Sequence, residues 1–406
     1  MRRSTDYFLS SHGGNLPLPD SLDKLIANAK ENEAAIAAEL PKAVDWVVKQ
    51  QMDCGVDIIN DGEYVKAATP GTYAGYIYDR MTGFNSVDRP AGWQPKRAFT
   101  AERDKRDFPG FYESGLWFSG SGGQQRPGFA KPGSGVPAFM NPSGKIRACN
   151  EAVTYKDYEP IKKDIAALQT ALAGKSGVDG FIAALGPLST GAGMTNLHYK
   201  DERDYMFAVA DAVREEYKAI TDAGLIVQID EPEFATTWMF YPDWSVEEYR
   251  KHLDFMVEII NHALRGLPEE QIRFHMCWGS GHRPHVHDIE FKHIVDKLLQ
   301  VNAQAYSFEA SNPRHAHEYH VFEDVKLPDG KIIVPGVVGH YTDLVEHPEL
   351  VAERLVNFAK LVGMENVHAG TDCGIGSRVG HEEIVWAKLK AMSEGCRIAG
   401  KRMKGK

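Results

Sequence analysis

Apolar residues recur along this chain at two spacings, and from about residue 149 onwards the two spacings alternate regularly. Continuous apolar runs of strand length, such as 180–185 and 225–230, are separated by segments in which apolar residues recur every three or four positions. Strands that alternate with helices in this way are typical of a mainly parallel sheet. The pattern therefore predicts an α/β fold.

Individual helices and strands follow from the same pattern. The helix predicted over 245–265 has the clearest start, because Ser245 is followed three residues later by Glu248 in a capping box. Further helices are predicted at 22–54, which Pro41 could interrupt, and at 158–172, 201–223, 288–299 and 348–362. Strands are predicted at 56–60, 146–150, 180–185, 225–230, 271–277, 305–310, 331–338 and 367–373. Of these, 146–150 is expected at a sheet edge or inside an insertion.

Residues 65–146 interrupt the alternation. This segment is rich in glycine, proline and aromatic residues, and no regular spacing of apolar residues survives in it. We interpret it as an insertion on the catalytic face, where loops carry function. Its aromatic content argues against disorder. A lid, a subunit contact and a decorated loop all remain open for it.

Composition and charge narrow the class of protein. The chain has 406 residues, 43% of them hydrophobic, which is enough for a large core. A net charge of −10 argues against nucleic acid as the main partner. No apolar run reaches the roughly 18 residues of a membrane span, and no signal peptide is visible. The five widely spaced cysteines suggest no disulfide framework, so a cytoplasmic location fits best.

Four side chains of the kinds that zinc accepts follow three predicted strands. His275 and Cys277 are two residues apart and project to the same side, Glu309 ends another strand, and Cys373 lies in a glycine-flanked turn. Taken singly, each has an ordinary role as a packed core residue or a loop anchor. Together they predict a zinc site at the carboxyl ends of the strands, and a closed structural zinc would use the same four donors.

Short motifs along nearly the whole chain resemble those of one known family, and they occur in the same order. They are Ser11-His-Gly-Gly-Asn-Leu-Pro17, Asp61-Gly-Glu63, Ile229-Asp-Glu-Pro232, His275-Met-Cys277, Phe308-Glu-Ala-Ser311 and Thr371-Asp-Cys-Gly374. The family is the cobalamin-independent methionine synthases, specifically their carboxyl-terminal barrel. The resemblance implies a TIM (β/α)8 barrel over residues 1–406, with the insertion at about 65–146 and Zn2+ as cofactor.

By the same resemblance, zinc is bound by His275, Cys277, Glu309 and Cys373. Zinc lowers the pKa of a bound thiol and holds it as thiolate. Two cysteine thiolates and one imidazole keep the metal electron-rich. That suits activation of a substrate sulfur better than acidification of water.

The resemblance also implies substrate-binding residues. Glu63 and Asp230 match the carboxylates that grip the amino group of homocysteine, and His12 lies in the first strand-end loop. Anchoring of backbone N–H groups is the ordinary alternative for both acids. The acidic pair favours an ammonium-bearing thiol over a sulfonate.

Candidates for proton transfer are less clearly marked. The loop after Cys277 contains His282, His285 and His287, and we interpret His285 or His287 as a proton relay. The resembled family has a catalytic histidine after its eighth strand, in an Asp-x-His-Ser context. Here His340 is displaced by one position and Tyr341 occupies the aligned place, which leaves the general acid open.

The leading hypothesis is a zinc-dependent S-methyltransferase that transfers a methyl group to homocysteine. Full-length family enzymes carry a second barrel that helps to hold a polyglutamylated folate, and this chain has no counterpart, so the alkyl donor remains open. The first alternative is an epoxyalkane:coenzyme M transferase. Others are a non-catalytic metal- or thiol-binding barrel and a uroporphyrinogen-decarboxylase-like barrel. The expected partners are a small-molecule thiol and an alkyl donor, without nucleic acid or membrane, and a homo-oligomer is compatible with this interpretation.

Overall fold

The computed structural model describes residues 1–68, 75–94, 96, 101–114, 144–279, 283–376 and 378–405. The strands within these residues are β1 (Ile58–Asn60), β2 (Phe84–Asp88), β3 (Lys145–Cys149), β4 (Asp179–Leu185), β5 (Thr195–Asn196), β6 (Ile226–Asp230), β7 (Ile272–His275), β8 (Ala305–Phe308), β9 (Ile332–Val338) and β10 (Gly370–Thr371). The helices are α1 (Asp20–Ile26), α2 (Glu33–Asp53), α3 (Tyr64–Ala68), α4 (Gly75–Arg80), α5 (Glu102–Asp107), α6 (Pro109–Glu113), α7 (Glu159–Leu172), α8 (Pro187–Gly191), α9 (Glu202–Asp222), α10 (Glu233–Phe240), α11 (Val246–Leu264), α12 (Val295–Leu298), α13 (Val321–Asp324), α14 (Pro348–Val362) and α15 (Glu382–Met403).

Seven strands form one parallel sheet in the order β1-β4-β6-β7-β8-β9-β10. The segment around Ser10 joins its two edges. On one side the Ser11 N–H donates to the Ala369 carbonyl at 2.8 Å, and on the other the Ile58 N–H donates to the Ser10 carbonyl at 3.0 Å. The segment thus occupies the eighth position, and the predicted TIM-barrel fold is confirmed.

Most predicted helices are present because each has an apolar face and a defined start. Helix α11 begins at the predicted capping box, in which the Ser245 hydroxyl accepts from the Glu248 N–H and the Glu248 carboxylate accepts from the Ser245 N–H. Helix α14 covers the predicted residues 348–362, and α7 begins one residue later than predicted. Their apolar faces are buried.

Two local predictions differ from the structure. Pro41 lies inside α2 without ending it, because the Ala37 carbonyl that loses its helical donor is on an exposed face. The helix predicted over 288–299 is reduced to a 3-10 turn at Phe291–His293 followed by α12. The residues before that turn are instead held by side-chain contacts of Asp288.

The inserted segment contains more regular structure than its sequence suggests. Its strand β2 pairs with β3, which begins at the end of the segment, and β3 pairs with β5 from a later loop. These three strands form a separate sheet, so the predicted strand 146–150 lies outside the barrel. Helix α5 packs on the barrel through Arg103, whose guanidinium lies 3.4 Å from the centre of the Trp238 ring. The lid remains a prediction, and its residues 69–74, 95, 97–100 and 115–143 lie outside the described part of the chain.

None of the described helices is both long enough and apolar enough to cross a membrane. Of the cysteines outside the candidate zinc site, Cys54, Cys149 and Cys396 are buried, as expected for packing residues.

Candidate metal centre and active site

Three of the four predicted zinc ligands converge at the carboxyl end of the barrel. His275 ends β7, Cys277 follows two residues later, and Cys373 follows β10. One nitrogen of His275 and the two sulfur atoms all lie within 4.8 Å of one another. Neighbouring parallel strands end at the same edge of the sheet, so residues far apart in sequence meet here.

The His275 ring is oriented as a metal ligand requires. Its Nδ1 shares a hydrogen bond of 2.9 Å with the Ser307 hydroxyl on the adjacent strand. Its Nε2 is buried and makes no hydrogen bond within the described residues. A buried polar atom without a partner is unfavourable unless something binds it. Together with the sulfur atoms of Cys277 and Cys373, this nitrogen matches the donor set of a zinc site.

The two thiols interact strongly. Contact with Cys277 lowers the pKa of Cys373 well below its usual range, although burial opposes this shift. Contact with Cys373, together with burial, raises the pKa of Cys277 well above its usual range. The two thiols therefore titrate as a pair, and the first proton is lost more readily than the second. Burial alone would lower the pKa of His275, but contact with Cys373 raises it.

Glu309, the fourth predicted ligand, lies in a neighbouring group with His340 and Asp372, in which one ligand atom of each is within 4.8 Å of the others. Its carboxylate accepts hydrogen bonds from the Trp278 N–H at 2.9 Å and from the Asn312 side chain at 2.8 Å. Burial raises the pKa of Glu309 well above its usual range. The structure thus places Glu309 beside the three-ligand group without including it.

Asp372 is a site residue that the sequence did not single out. It accepts hydrogen bonds from the Ala310 N–H, the Ser311 N–H and the Ser311 hydroxyl at 2.8, 2.9 and 2.6 Å. A Cβ at Gly336 would lie 2.1 Å from its carboxylate. Asp372 therefore ties the loops after β8 and β10 together, and these contacts occupy its oxygens.

His340 is buried beside Glu309. Neither of its ring nitrogens has a hydrogen-bond partner within the described residues. Its ring lies 3.9 Å from that of Tyr341, centre to centre, and burial lowers the pKa of His340 to about 3. Tyr341, at the position where the family has its histidine, donates to the Gly279 carbonyl at 2.7 Å.

The structure separates the two histidines of the loop after Cys277. His285 donates from Nδ1 to Asp288 at 2.7 Å, and its ring lies 5.9 Å from that of Tyr341. His287 donates to Asp107 at 2.7 Å with 43% of its side chain exposed, so it faces away from the ligands. His282 lies outside the described residues.

Glu63 and Asp230, the two predicted substrate-binding carboxylates, both lie near the ammonium group of Lys66, which no sequence motif singled out. Lys66 Nζ lies 3.5 Å from Glu63 and 3.4 Å from Asp230, and all three side chains are buried. Asp230 also accepts from the Gln228 side chain at 2.7 Å. Burial, more than the nearby acids, raises the pKa of Glu63 to about 8. The spacing of Lys66 three residues after Glu63 was the signal that could have indicated this pair.

His12 is fully engaged by the protein itself. Its Nε2 donates to Gln51 at 2.8 Å, and its Nδ1 accepts from the Gly14 N–H at 3.2 Å. Burial lowers the pKa of His12 to about 4. In this arrangement His12 supports the first strand-end loop and presents no unused nitrogen to a ligand.

Known proteins resemble this chain over different shares of its length. A 2-hydroxypropyl-CoM lyase of Xanthobacter autotrophicus is 24% identical, with 95% of this chain and 93% of that protein covered. A methionine synthase of Saccharolobus islandicus is 26% identical over 230 residues, which cover 55% of this chain and 60% of that protein. The chain therefore aligns with less than two thirds of that methionine synthase.

Solved structures agree on the fold. A B12-independent methionine synthase from Shewanella sp. W3-18-1, in complex with selenomethionine, superposes with a TM-score of 0.65 at 18% identity, covering 98% of this chain and 100% of that one. A putative vitamin-B12 independent methionine synthase from Listeria monocytogenes gives a TM-score of 0.63 at 14% identity, covering 97% and 98%.

The family itself is shown by a match within the chain. The family described as "Cobalamin-independent synthase, Catalytic domain" matches this chain over residues 161–397, which is more than half of its 406 residues. These residues contain His275, Cys277 and Cys373. The chain therefore belongs to the cobalamin-independent synthase family, through the catalytic domain of that family.

Proposed function

We propose that this protein is a zinc-dependent transferase that alkylates a small thiol, and that it transfers a methyl group to homocysteine. The convergence of His275, Cys277 and Cys373 within 4.8 Å, with the buried His275 Nε2 left without a hydrogen bond, carries the proposal. A donor set with two thiolates suits activation of a substrate sulfur. Membership of the cobalamin-independent synthase family supports the reaction class.

The residues around this group have separable roles in the proposal. His275, Cys277 and Cys373 would hold zinc, with Glu309 as the neighbouring fourth donor. Bound zinc would keep the acceptor sulfur in its nucleophilic thiolate form. Glu309 is kept close by Trp278 and Asn312, so its carboxylate can bind or release without a large movement.

The acceptor thiol must lose a proton before its sulfur attacks the methyl carbon. His340 is in a position to accept that proton, because it is buried beside Glu309 and both its nitrogens lack partners within the described residues, but its pKa of about 3 makes it a weak base. His285 is the second candidate, since Asp288 fixes the orientation of its ring through Nδ1.

Metal analysis of purified protein tests the proposal. We expect about one zinc per chain, and a drop in zinc affinity of more than about a hundredfold in Cys373→Ser, because the variant loses a thiolate donor. Cys54→Ser is the matched control, since that thiol is buried away from the ligands. Methionine formation from homocysteine and a methyl donor should stop when a chelator removes the metal. Full zinc retention by Cys373→Ser would contradict the ligand set, and zinc binding without consumption of any thiol would indicate a non-catalytic site.

A second candidate function is the opening of an epoxide by coenzyme M. In that reaction the thiolate sulfur attacks an epoxide carbon, the carbon–oxygen bond breaks, and the alkoxide takes a proton. Lys66 favours this candidate, because a buried ammonium can attract a sulfonate. The similarity to a 2-hydroxypropyl-CoM lyase over 95% of this chain is compatible with it.

Acceptor binding separates the two candidates. We expect homocysteine to bind better than 4-mercaptobutyrate, which lacks the amino group, and better than coenzyme M. Asp230→Asn should remove most of the advantage of homocysteine over 4-mercaptobutyrate, about tenfold in affinity, because it removes a carboxylate that attracts the ammonium group. Calorimetric titration of each thiol measures this. Tighter binding of coenzyme M to the wild-type protein would favour the epoxide reaction.

A further inference from the structure

We propose that Asp104, on helix α5 of the inserted segment, is a positioning residue that sets the geometry of residues 283–288, which follow Cys277 in the loop after β7. The inference rests on the proposed function only for its activity measurement. Asp104 is 1% exposed although it comes from a segment outside the regular alternation of strands and helices. Nothing in the sequence connects it with the zinc ligands.

Asp104 binds the loop at three points. One carboxylate oxygen accepts from Arg283 Nη1 at 2.9 Å and from the His285 N–H at 3.2 Å, and the other accepts from the His287 N–H at 3.1 Å. A single buried carboxylate therefore holds two backbone amides and one guanidinium. Charge-assisted hydrogen bonds of this kind are stronger than those between neutral groups.

These contacts hold a loop with an unfavourable backbone conformation. His285 has φ 58°, in the left-handed region that a residue with a β-carbon seldom adopts. Its own N–H donates to Asp104, and its ring donates to Asp288. Without Asp104, the loop would lose the contacts that favour this conformation.

Arg283 carries the effect toward the ligands. Its Nη2 donates to the Trp278 carbonyl at 2.6 Å and to Asp288 at 2.7 Å. A change at Asp104 is therefore transmitted through Arg283 to Trp278. Trp278 directly follows the candidate ligand Cys277, and its N–H donates to the candidate ligand Glu309.

Helix α5 can act in this way because it is itself anchored to the barrel. Arg103 donates to the carbonyls of Trp238, Tyr241 and Trp244 at 3.2, 2.9 and 2.7 Å. Its guanidinium also stacks on the Trp238 ring. Arg103 thus anchors helix α5 to the barrel, and Asp104 anchors residues 283–288 to that helix.

Amide hydrogen exchange of Asp104→Asn, followed by NMR or mass spectrometry, tests the proposal without reference to activity. Asparagine has the same size as aspartate, but its NH2 group cannot accept hydrogen bonds from Arg283 or from the backbone N–H groups of His285 and His287. We expect exchange at His285 and His287 to accelerate at least about tenfold, while the exchange of β7 and β8 is unchanged. Asp107→Asn is the matched control, because this exposed acid on the same helix contacts the exposed ring of His287 and accepts no hydrogen bond from the backbone of the described residues 283–288.

Steady-state kinetics give the second measurement. If the proposed function holds, Asp104→Asn should lower kcat by about ten- to a hundredfold at unchanged zinc content, with a smaller change in KM for the thiol. Arg283→Lys keeps the charge but loses the second donor nitrogen of the guanidinium group. It should therefore also accelerate exchange at His285 and His287, even if Asp104→Asn folds poorly. Unchanged exchange at His285 and His287 in either folded variant would overturn the proposal. Faster exchange without any alkyl transfer by the wild type would overturn only the proposed function.

Discussion

At the scale of single residues, Lys66 changes how the acidic pair is interpreted. Glu63 and Asp230 favour an ammonium-bearing thiol only while their charges are available. Lys66 lies within 3.5 Å of both, so its ammonium group offsets their negative charge, and burial raises the pKa of Glu63 to about 8. The preference for homocysteine or coenzyme M therefore depends on one lysine.

Substitution of Lys66 measures that dependence. In Lys66→Met we expect coenzyme M to lose about tenfold or more in affinity relative to homocysteine, because a buried ammonium no longer attracts the sulfonate. Lys162→Met is the control, since Lys162 is an exposed residue paired with Glu159. Calorimetric titration of both thiols provides the ratio. An unchanged ratio would show that Lys66 only neutralises its two neighbours.

At the scale of elements, strand register determines which side chains surround His275. Asp230 lies opposite His275 on β6, and Ser307 lies opposite it on β8. The hydrogen bond between Ser307 and His275 follows from that register, because a slip by one residue would turn Ser307 to the other face. This is why a short strand such as β7 can hold a ligand firmly.

In the loop after β7, by contrast, side-chain contacts and not the local sequence pattern determine the structure. Apolar spacing predicted a helix over 288–299, but Asp288 accepts hydrogen bonds from Arg283, His285 and His315 at 2.7, 2.7 and 3.3 Å. These side-chain contacts hold the start of the segment in a loop, and regular helix is restricted to α12. Tertiary contacts of charged groups therefore override the local preference for helix.

At the scale of the whole molecule, closure of the barrel buries histidines as neutral groups. His368 contacts the Arg2 carbonyl at 3.1 Å, and burial lowers its pKa to about 3. Burial likewise lowers the pKa of His12 to about 4. An unfolded chain takes up a proton at each histidine below about pH 6.5, whereas the folded chain does so only at much lower pH. The stability that His12 and His368 contribute is therefore lost as the pH falls from about 6.5.

Urea unfolding at pH 6.5 and pH 5.0 tests this pH dependence. Each buried histidine should contribute about 1–2 kcal/mol to the loss of unfolding free energy over this interval, since one pKa unit corresponds to about 1.4 kcal/mol. His368→Asn should reduce the loss by that amount. His320→Asn, at an exposed site, should leave it unchanged. Equal losses in the wild type and His368→Asn would contradict a neutral buried ring.

The sequence by itself determined the alternation of helices and strands, most of their bounds, and the three ligand candidates His275, Cys277 and Cys373 that the fold brings together. Those features depend on apolar spacing, capping and the rule that parallel strands end at one edge. Only the tertiary structure decided that Glu309 lies beside the three-ligand group and that Lys66 lies between Glu63 and Asp230. The tertiary structure also decided that Asp104 of the inserted segment contacts the loop after β7. The contacts of Trp278 with Glu309, of Lys66 with Asp230 and of Asp104 with His287 join residues 31 to 183 positions apart through buried charges, and no local pattern encodes such contacts.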